Sequence, residues 1–334
     1  TTHLTPPHAY HHTAPAYFND SEERSLLRDA CLCSTLSLMG SIFVLASWYK
    51  FRSLQVFAFR LIAYLALADI GTDTAYLMGD QATGTTKCTV QGVMRIYFNL
   101  VAIFLTTVIA NLMYQVIVER NFDIANQQAQ RPTYMLYAWG LPVLFALLPF
   151  STNNYGNNGA WCSITSSSGS WWGGVLWHVV CLYGPCWAAI AYNITMYLRV
   201  HQFVRGLQIA SMGLELTETQ QREMLRQQAT RYQFVERLQL YPLVLVVSWT
   251  WATIYYVLGT ISGERPLWLA TLGYSMSSLM GFLNMCVYVA TPTVWKAWVQ
   301  EAQQSALWNK LPLFIQRRLG AASTTGEGRH AAAY

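Results

Sequence analysis

Few residues in this chain have types and spacing suited to chemistry, and nearly all of them stand in apolar stretches. Asp69 and Asp73 are four residues apart, which places both carboxylates on one face of a helix, one turn from each other. Arg95 lies within the apolar run 88–118, with Asn99 four residues later. His178 and Asn284 are isolated in later runs. Ionisable groups in such surroundings are costly and commonly functional. Arg95 suits an anionic ligand in an outward cavity, or an internal partner such as Asp73. For Asn99, Asn193 and Asn284 the plain alternative is hydrogen-bonded packing. The sequence contains no Gly-rich phosphate loop, no HExxH pair and no Ser/His/Asp set in a setting that would make it a triad. Trp161-Cys162-Ser163 is not a nucleophile elbow, and Cys31-Leu32-Cys33 lacks the CxxC spacing. These residues point to binding rather than catalysis, with no cofactor and no metal expected.

The elements that position them follow from composition. Of 334 residues, 53% are hydrophobic and only 11% charged, against ~25% charged in soluble proteins. Apolar runs alternate with short polar stretches, each run near the ~20 residues that cross ~30 Å of hydrocarbon. Lipid cannot satisfy open backbone groups, so the runs read as helices. Seven spans result, at 30–49, 55–79, 88–118, 133–150, 170–199, 237–260 and 266–291. Pro142, Pro185 and Pro242 fall inside spans, which membrane helices tolerate. The fold class is therefore an all-α seven-transmembrane bundle, preceded by an N-terminal segment 1–29 and followed by 292–334.

Basic residues set the direction. Lys50, Arg52, Arg60, Arg120, Arg131, Arg205, Arg222, Arg226, Arg231 and a basic tail lie on one side. The other side has Arg24, Arg28, Lys87 and Arg265. The N-terminus is thus outside and the C-terminus inside. Cys88 and Cys162 both face the oxidising side, where a disulfide between them would tie the second outer loop over the bundle; two free thiols are the alternative. Asn19-Asp20-Ser21 is a glycosylation triplet on the same side, used or fortuitous. A second triplet, Asn193-Ile194-Thr195, sits inside a span and should be silent. Outer aromatics (Trp161, Trp171, Trp172, Tyr255, Tyr256 and Trp268) read mainly as an interfacial belt, with Trp161 the candidate pocket lid.

Two inner segments have helical patterns. The stretch 216–239 is rich in Gln, Glu, Arg and Leu, and Thr217 with Gln220 resembles a capping box. It should continue into the sixth span. After Pro292, Val294, Trp295, Trp298 and Ala302 share one face, as in a helix lying on the inner leaflet. The tail around Ser323 has the composition of a disordered segment.

Particular segments resemble a known family. Asn154-Tyr155-Gly156, followed by Gly159-Ala160-Trp161-Cys162-Ser163-Ile164, is similar to the "YG..G.WCWI" outer loop of cyclic-AMP-receptor-like (class E) G-protein-coupled receptors. The run from Arg237 through Leu240-Tyr241-Pro242 to Ser248-Trp249 resembles their sixth-span pattern. Gly281-Phe282-Leu283-Asn284 with Tyr288 and Pro292 resembles the end of their seventh span. Ser163 and Ser248 stand where Trp and Cys are usual. Glu119-Arg120-Asn121 in place of DRY, and the absence of NPxxY, separate the chain from rhodopsin-like receptors.

The resemblance implies a multi-pass plasma-membrane receptor. An extracellular small-molecule ligand, cyclic AMP or another small anion, would bind near Arg95, Asp73, Asn99, Trp161, His178 and Tyr256. A heterotrimeric G protein would face Glu119, Arg120, Arg231 and Arg237 on the inner side, where a solvated, lipid-facing basic rim is the alternative reading. Asp69 and Asn284 would form an internal polar link. Partners are then the ligand, the G protein and the lipid bilayer, with no nucleic acid. A retinal protein would need a Lys in the last span, whereas Lys occurs only at 50, 87, 296 and 310. A transporter or channel is the other alternative, disfavoured by the odd span count and the lack of an internal repeat. An adhesion protein would need more than the 29 residues before the first span, since domains start at ~50.

Overall fold

The computed structural model describes residues 18–119, 131–158, 160–165, 171–212 and 240–304, leaving aside the side chains of 171, 172 and 207–212. The expected inner helix 216–239, the tail, Arg120, Arg231 and Arg237 lie outside the described residues.

Helix α1 (Asp20–Lys50) begins ten residues ahead of the apolar run. The reason is local. The Asn19 carboxamide accepts from the Ser21 and Glu22 amides, and Glu22 accepts from the Asn19 amide at 2.9 Å. This capping box satisfies amides that a helix start otherwise leaves open, and Asp20, Glu22 and Glu23 favour the positive end of the helix dipole. α2 (Phe57–Leu77) and α3 (Thr86–Ile117) follow. α4 spans Arg131–Thr152, α5 spans 171–212, and α6 is Leu240–Ile261. α7 is broken at Leu279 into Leu267–Ser278 and Met280–Val289. α8 is Pro292–Gln304.

Among the described residues, five helices are long and apolar enough to cross a membrane: α1, α3, α4, α5 and α6. α2 carries Arg60, Asp69 and Asp73, and the break divides α7; with these two the bundle has seven crossing elements. α3 is its axis: Leu100, Val101, Ala102, Ile103 and Leu105 are all fully enclosed. Helices that touch lipid keep one apolar face outward, as Leu32, Met39 and Ile42 do on α1.

Two prolines shape the helices. The Leu141 N–H, just before Pro142, bonds the Leu136 carbonyl, and the Gly184 N–H, just before Pro185, bonds the Val179 carbonyl. Each is an i to i−5 bond, so each proline follows a single π turn. At the second, a Cβ on residue 184 would stand 2.7 Å from the Val179 oxygen, so the turn needs glycine there.

α1, α2 and α7 meet through small and polar residues. Gly281 packs so closely that a Cβ would collide with Ser41 Oγ and would meet Ser37 Oγ at 2.5 Å and Asp69 Cβ at 3.0 Å. Gly281→Val should therefore overpack this junction, at a cost of about 1–3 kcal/mol. Thermal melting of the purified protein should show a lower midpoint than wild type. An unchanged midpoint would mean that α7 is free to move away.

α8 is amphipathic and docks under α1. Trp298 stacks on Phe43 at 5.3 Å and donates to Ser47 Oγ at 3.1 Å. Lys50 and Glu301 form an ion pair at 2.8 Å, half exposed, where such pairs contribute little. The ring contacts hold this helix.

Candidate functional site at the outer end of the bundle

The outer loop forms a lid. β1 (Tyr155–Asn157) pairs antiparallel with β2 (Cys162–Ile164), Gly156 opposite Ser163. Cys88 at the start of α3 is disulfide-bonded to Cys162, with Cα atoms 5.2 Å apart, so the oxidised alternative holds. A second clasp comes from Gln91, which the sequence reading did not single out. Its amide donates to the Ala75 and Gly79 carbonyls at 2.9 and 2.8 Å, and its oxygen accepts from the Cys162 N–H at 2.9 Å. One buried side chain thus joins α2, α3 and β2. Tyr155 closes over Gly92, where a Cβ would lie 2.7 Å from the ring.

Beneath the lid is a cavity of about 140 Å³. Arg95 enters it from α3, 8% exposed. Its guanidinium donates to Tyr76 Oη at 3.0 Å and to the Cys162 carbonyl at 3.4 Å. It also lies 4.5 Å from the Tyr76 ring centre and 5.0 Å from that of Trp161, within the ~6 Å reach of cation–π attraction. Among the described residues its Nε has no hydrogen-bond partner, and neither does Trp249 Nε1 in the same wall.

Much of the wall is aromatic. Trp161 meets Tyr76 and Tyr274 edge-on at 5.4 and 4.5 Å. Tyr183 stacks on Tyr256 at 4.5 Å. His178 lies 5.1 Å from Tyr256, and its Nδ1 donates to the Gly174 carbonyl at 2.9 Å. In a regular helix His178 and Tyr183, five residues apart, would diverge by about 140° at 3.6 residues per turn. The π turn Val179–Tyr183 returns Tyr183 to the same face. A second cation, Arg265, lines the cavity beside Tyr255 and packs over Gly259.

The sequence-predicted residues distribute unevenly. Arg95, Asn99, Trp161, His178 and Tyr256 all line the chamber. Asn99 spends its amide on the Arg95 carbonyl at 2.7 Å. Asp73 is placed elsewhere: it is absent from the cavity wall and makes no ion pair with Arg95 among the described residues. Tyr76, three residues after Asp73 in α2, takes the guanidinium instead. Asp73 is 2% exposed, beside Ser37 and Asp69. Asp69 accepts from Asn284 Nδ2 at 2.9 Å, which joins α2 to α7. Asn19 caps α1 and is exposed. Glu119 is exposed at the inner end of α3. Tyr183, Trp249, Tyr255, Tyr274 and Arg265 complete the chamber without having been named as ligand-binding positions. For Tyr255 the expected interfacial belt is corrected to a cavity wall.

Known proteins match this architecture. A "G-protein coupled receptor 1" of Arabidopsis thaliana is 28% identical over 289 residues, covering 86% of this chain and 81% of its own. "Cyclic AMP receptor-like protein A" of Dictyostelium discoideum is 24% identical over 148 residues, covering 44% and 39%. The crystal structure of squid rhodopsin superposes with a TM-score of 0.69 over 94% of this chain and 95% of its own, at 17% identity, which shows the fold alone. The family model described as "Slime mold cyclic AMP receptor" matches residues 19–321. This seven-helix membrane protein, with its disulfide-clasped outer lid, therefore belongs to the slime mold cyclic AMP receptor family.

Proposed function

We propose that the chain is a plasma-membrane receptor that binds a small organic anion in the outer chamber and drives nucleotide exchange on a heterotrimeric G protein. The observation that carries this reading is Arg95: a buried guanidinium whose Nε has no hydrogen-bond partner among the described residues, tied to the lid at the Cys162 carbonyl and packed against the Tyr76 and Trp161 rings. A charge in such a place asks for an acceptor, and Arg is the side chain that pairs best with phosphate or carboxylate. Arg265 would supply a second positive charge. The rings of Trp161, Tyr183 and Tyr256 would cover a flat apolar portion of the ligand. Cyclic AMP has both features, and the family description supports it as the first ligand to try. Asp73 would act in the bundle and not at the ligand.

On the inner side, Glu119 with Arg120, Arg231 and Arg237 would face the G protein. The ligand would favour one of two bundle arrangements by binding it more tightly, with the Asp69–Asn284 link moving as part of α2 and α7. Reciprocity then requires the G protein to tighten ligand binding. Labelled cyclic AMP should be titrated into nanodisc-embedded protein with and without nucleotide-free G protein. Coupling of ~1–3 kcal/mol corresponds to a 5–150-fold gain in affinity. A ligand that binds with the same affinity in both conditions would remove the coupling part of the proposal.

A further inference from the structure

The triplet Asn193-Ile194-Thr195 lies inside α5 and has no part in the outer chamber. Its asparagine lines a second cavity, of about 470 Å³, low between α3, α5 and α6. Ala110 and Met113 form one wall, Tyr197 and His201 another, and Pro242 and Val246 the third. The volume falls within the ~300–1,000 Å³ of small-molecule sites. Asn193 is 2% exposed. Its Nδ2 reaches Thr106 Oγ1 at 3.4 Å, and its Oδ1 has no partner among the described residues. A buried acceptor left unpaired costs about 1–3 kcal/mol, and native proteins contain few of them.

The rim shows how an occupant would enter. Ile194, Tyr197 and Leu243 are 48%, 44% and 55% exposed. On the outside of a membrane bundle such residues face hydrocarbon. By helical rise Asn193 is roughly 20 Å inward of His178, and His201 about 12 Å further. The opening is therefore at the depth of the inner leaflet. An occupant must come through lipid, be mostly apolar and bring one donor to Asn193 Oδ1.

We infer that this cleft binds a lipid alcohol from the inner leaflet, its apolar body between α5 and α6 and its hydroxyl donating to Asn193 Oδ1. The acyl chain of an ordinary phospholipid could fill the same apolar walls, but it carries no donor and would leave the oxygen unpaired.

The test uses the full chain in phosphatidylcholine nanodiscs. Each disc carries a photoreactive sterol or a photoreactive long-chain alcohol, or the methyl ether of either. After irradiation, labelled peptides are mapped. At least one alcohol should label the segments 193–201 and 240–246 five-fold or more over its ether. Asn193→Leu should bring that ratio close to one. Val246→Trp, which fills the cleft from α6 without touching Asn193, should remove the labelling. Should Asn193→Leu fail to fold, the wild-type ratio and Val246→Trp decide. Equal labelling by alcohol and ether, as from chain filling alone, overturns the inference. So does an absence of labelling in the cleft, or labelling that survives Val246→Trp.

Discussion

Arg95→Ala should weaken binding of an anionic ligand to the outer chamber by about 30-fold or more. Truncating one partner of a buried, hydrogen-bonded charge pair costs 2–5 kcal/mol or more, and each 1.4 kcal/mol is tenfold in affinity. The same substitution leaves Tyr76 Oη and the Cys162 carbonyl without their present donor, so the lid loosens as well as losing its charge. Arg95→Lys separates the two effects. It keeps a positive charge but loses the planar fork, and should fall between wild type and alanine. Competition binding, with thermal melting to show that each variant is folded, reads the outcome. A folded Arg95→Ala protein with undiminished affinity would take Arg95 out of the ligand site.

Loss of the Cys88–Cys162 disulfide should produce the second large effect, on stability first. A native bridge typically contributes about 2–4 kcal/mol, and this one closes a loop of 74 residues in sequence. The Cys88→Ser/Cys162→Ser protein should melt well below wild type, and reductant should move the wild-type curve toward it. Ligand affinity should fall too, because the Cys162 peptide unit itself is part of the site: its N–H meets Gln91 and its carbonyl meets Arg95. Gln91 offers a separation. It ties β2 to α3 without a covalent bond, so a partial lid should survive in the double variant and be lost when Gln91→Leu is added. Unchanged melting after reduction would show that the Gln91 clasp alone holds the loop.

Much of this site was legible in the sequence, for a definite reason. A charged or polar residue in an apolar run has few environments open to it, so Arg95, His178 and Asn99 could be assigned to an interior from type alone. Cys88 and Cys162 could be matched once basic residues had set the direction of the spans. Aromatic residues carry no such signal. Tyr255 and Tyr274 have the same composition as an interfacial belt, and only packing distinguishes wall from belt. Tyr183 was hidden further, because regular helical spacing turns it away from His178 and the π turn before Pro185 turns it back. Arg265 was counted as one of a few outer charges, since a loop position gives no depth.

Asp73 shows the limit of the charge argument. Opposite charges in neighbouring spans invite pairing, but helical spacing from Asp69 holds Asp73 toward α1 and α7, and Tyr76 occupies the position facing Arg95. The helix starts show a different limit. Hydropathy locates the apolar run at 30–49, whereas Asn19 and Glu22 extend α1 to Asp20 through hydrogen bonds that hydropathy does not register. The break of α7 at Leu279 has no proline in it, so nothing in the residue types marks its place.

The central claim is that occupancy of the Arg95 chamber is what drives signalling. The most direct measurement is GDP–GTP exchange on a purified heterotrimeric G protein beside the nanodisc-embedded chain. It is titrated with cyclic AMP, other cyclic nucleotides and a set of small carboxylates and phosphates. At least one anion should raise the exchange rate in a saturable manner, and Arg95→Ala should shift its midpoint by about 30-fold or more at unchanged protein folding. Exchange that no anion stimulates, or stimulation with the same midpoint in folded Arg95→Ala, would contradict the account.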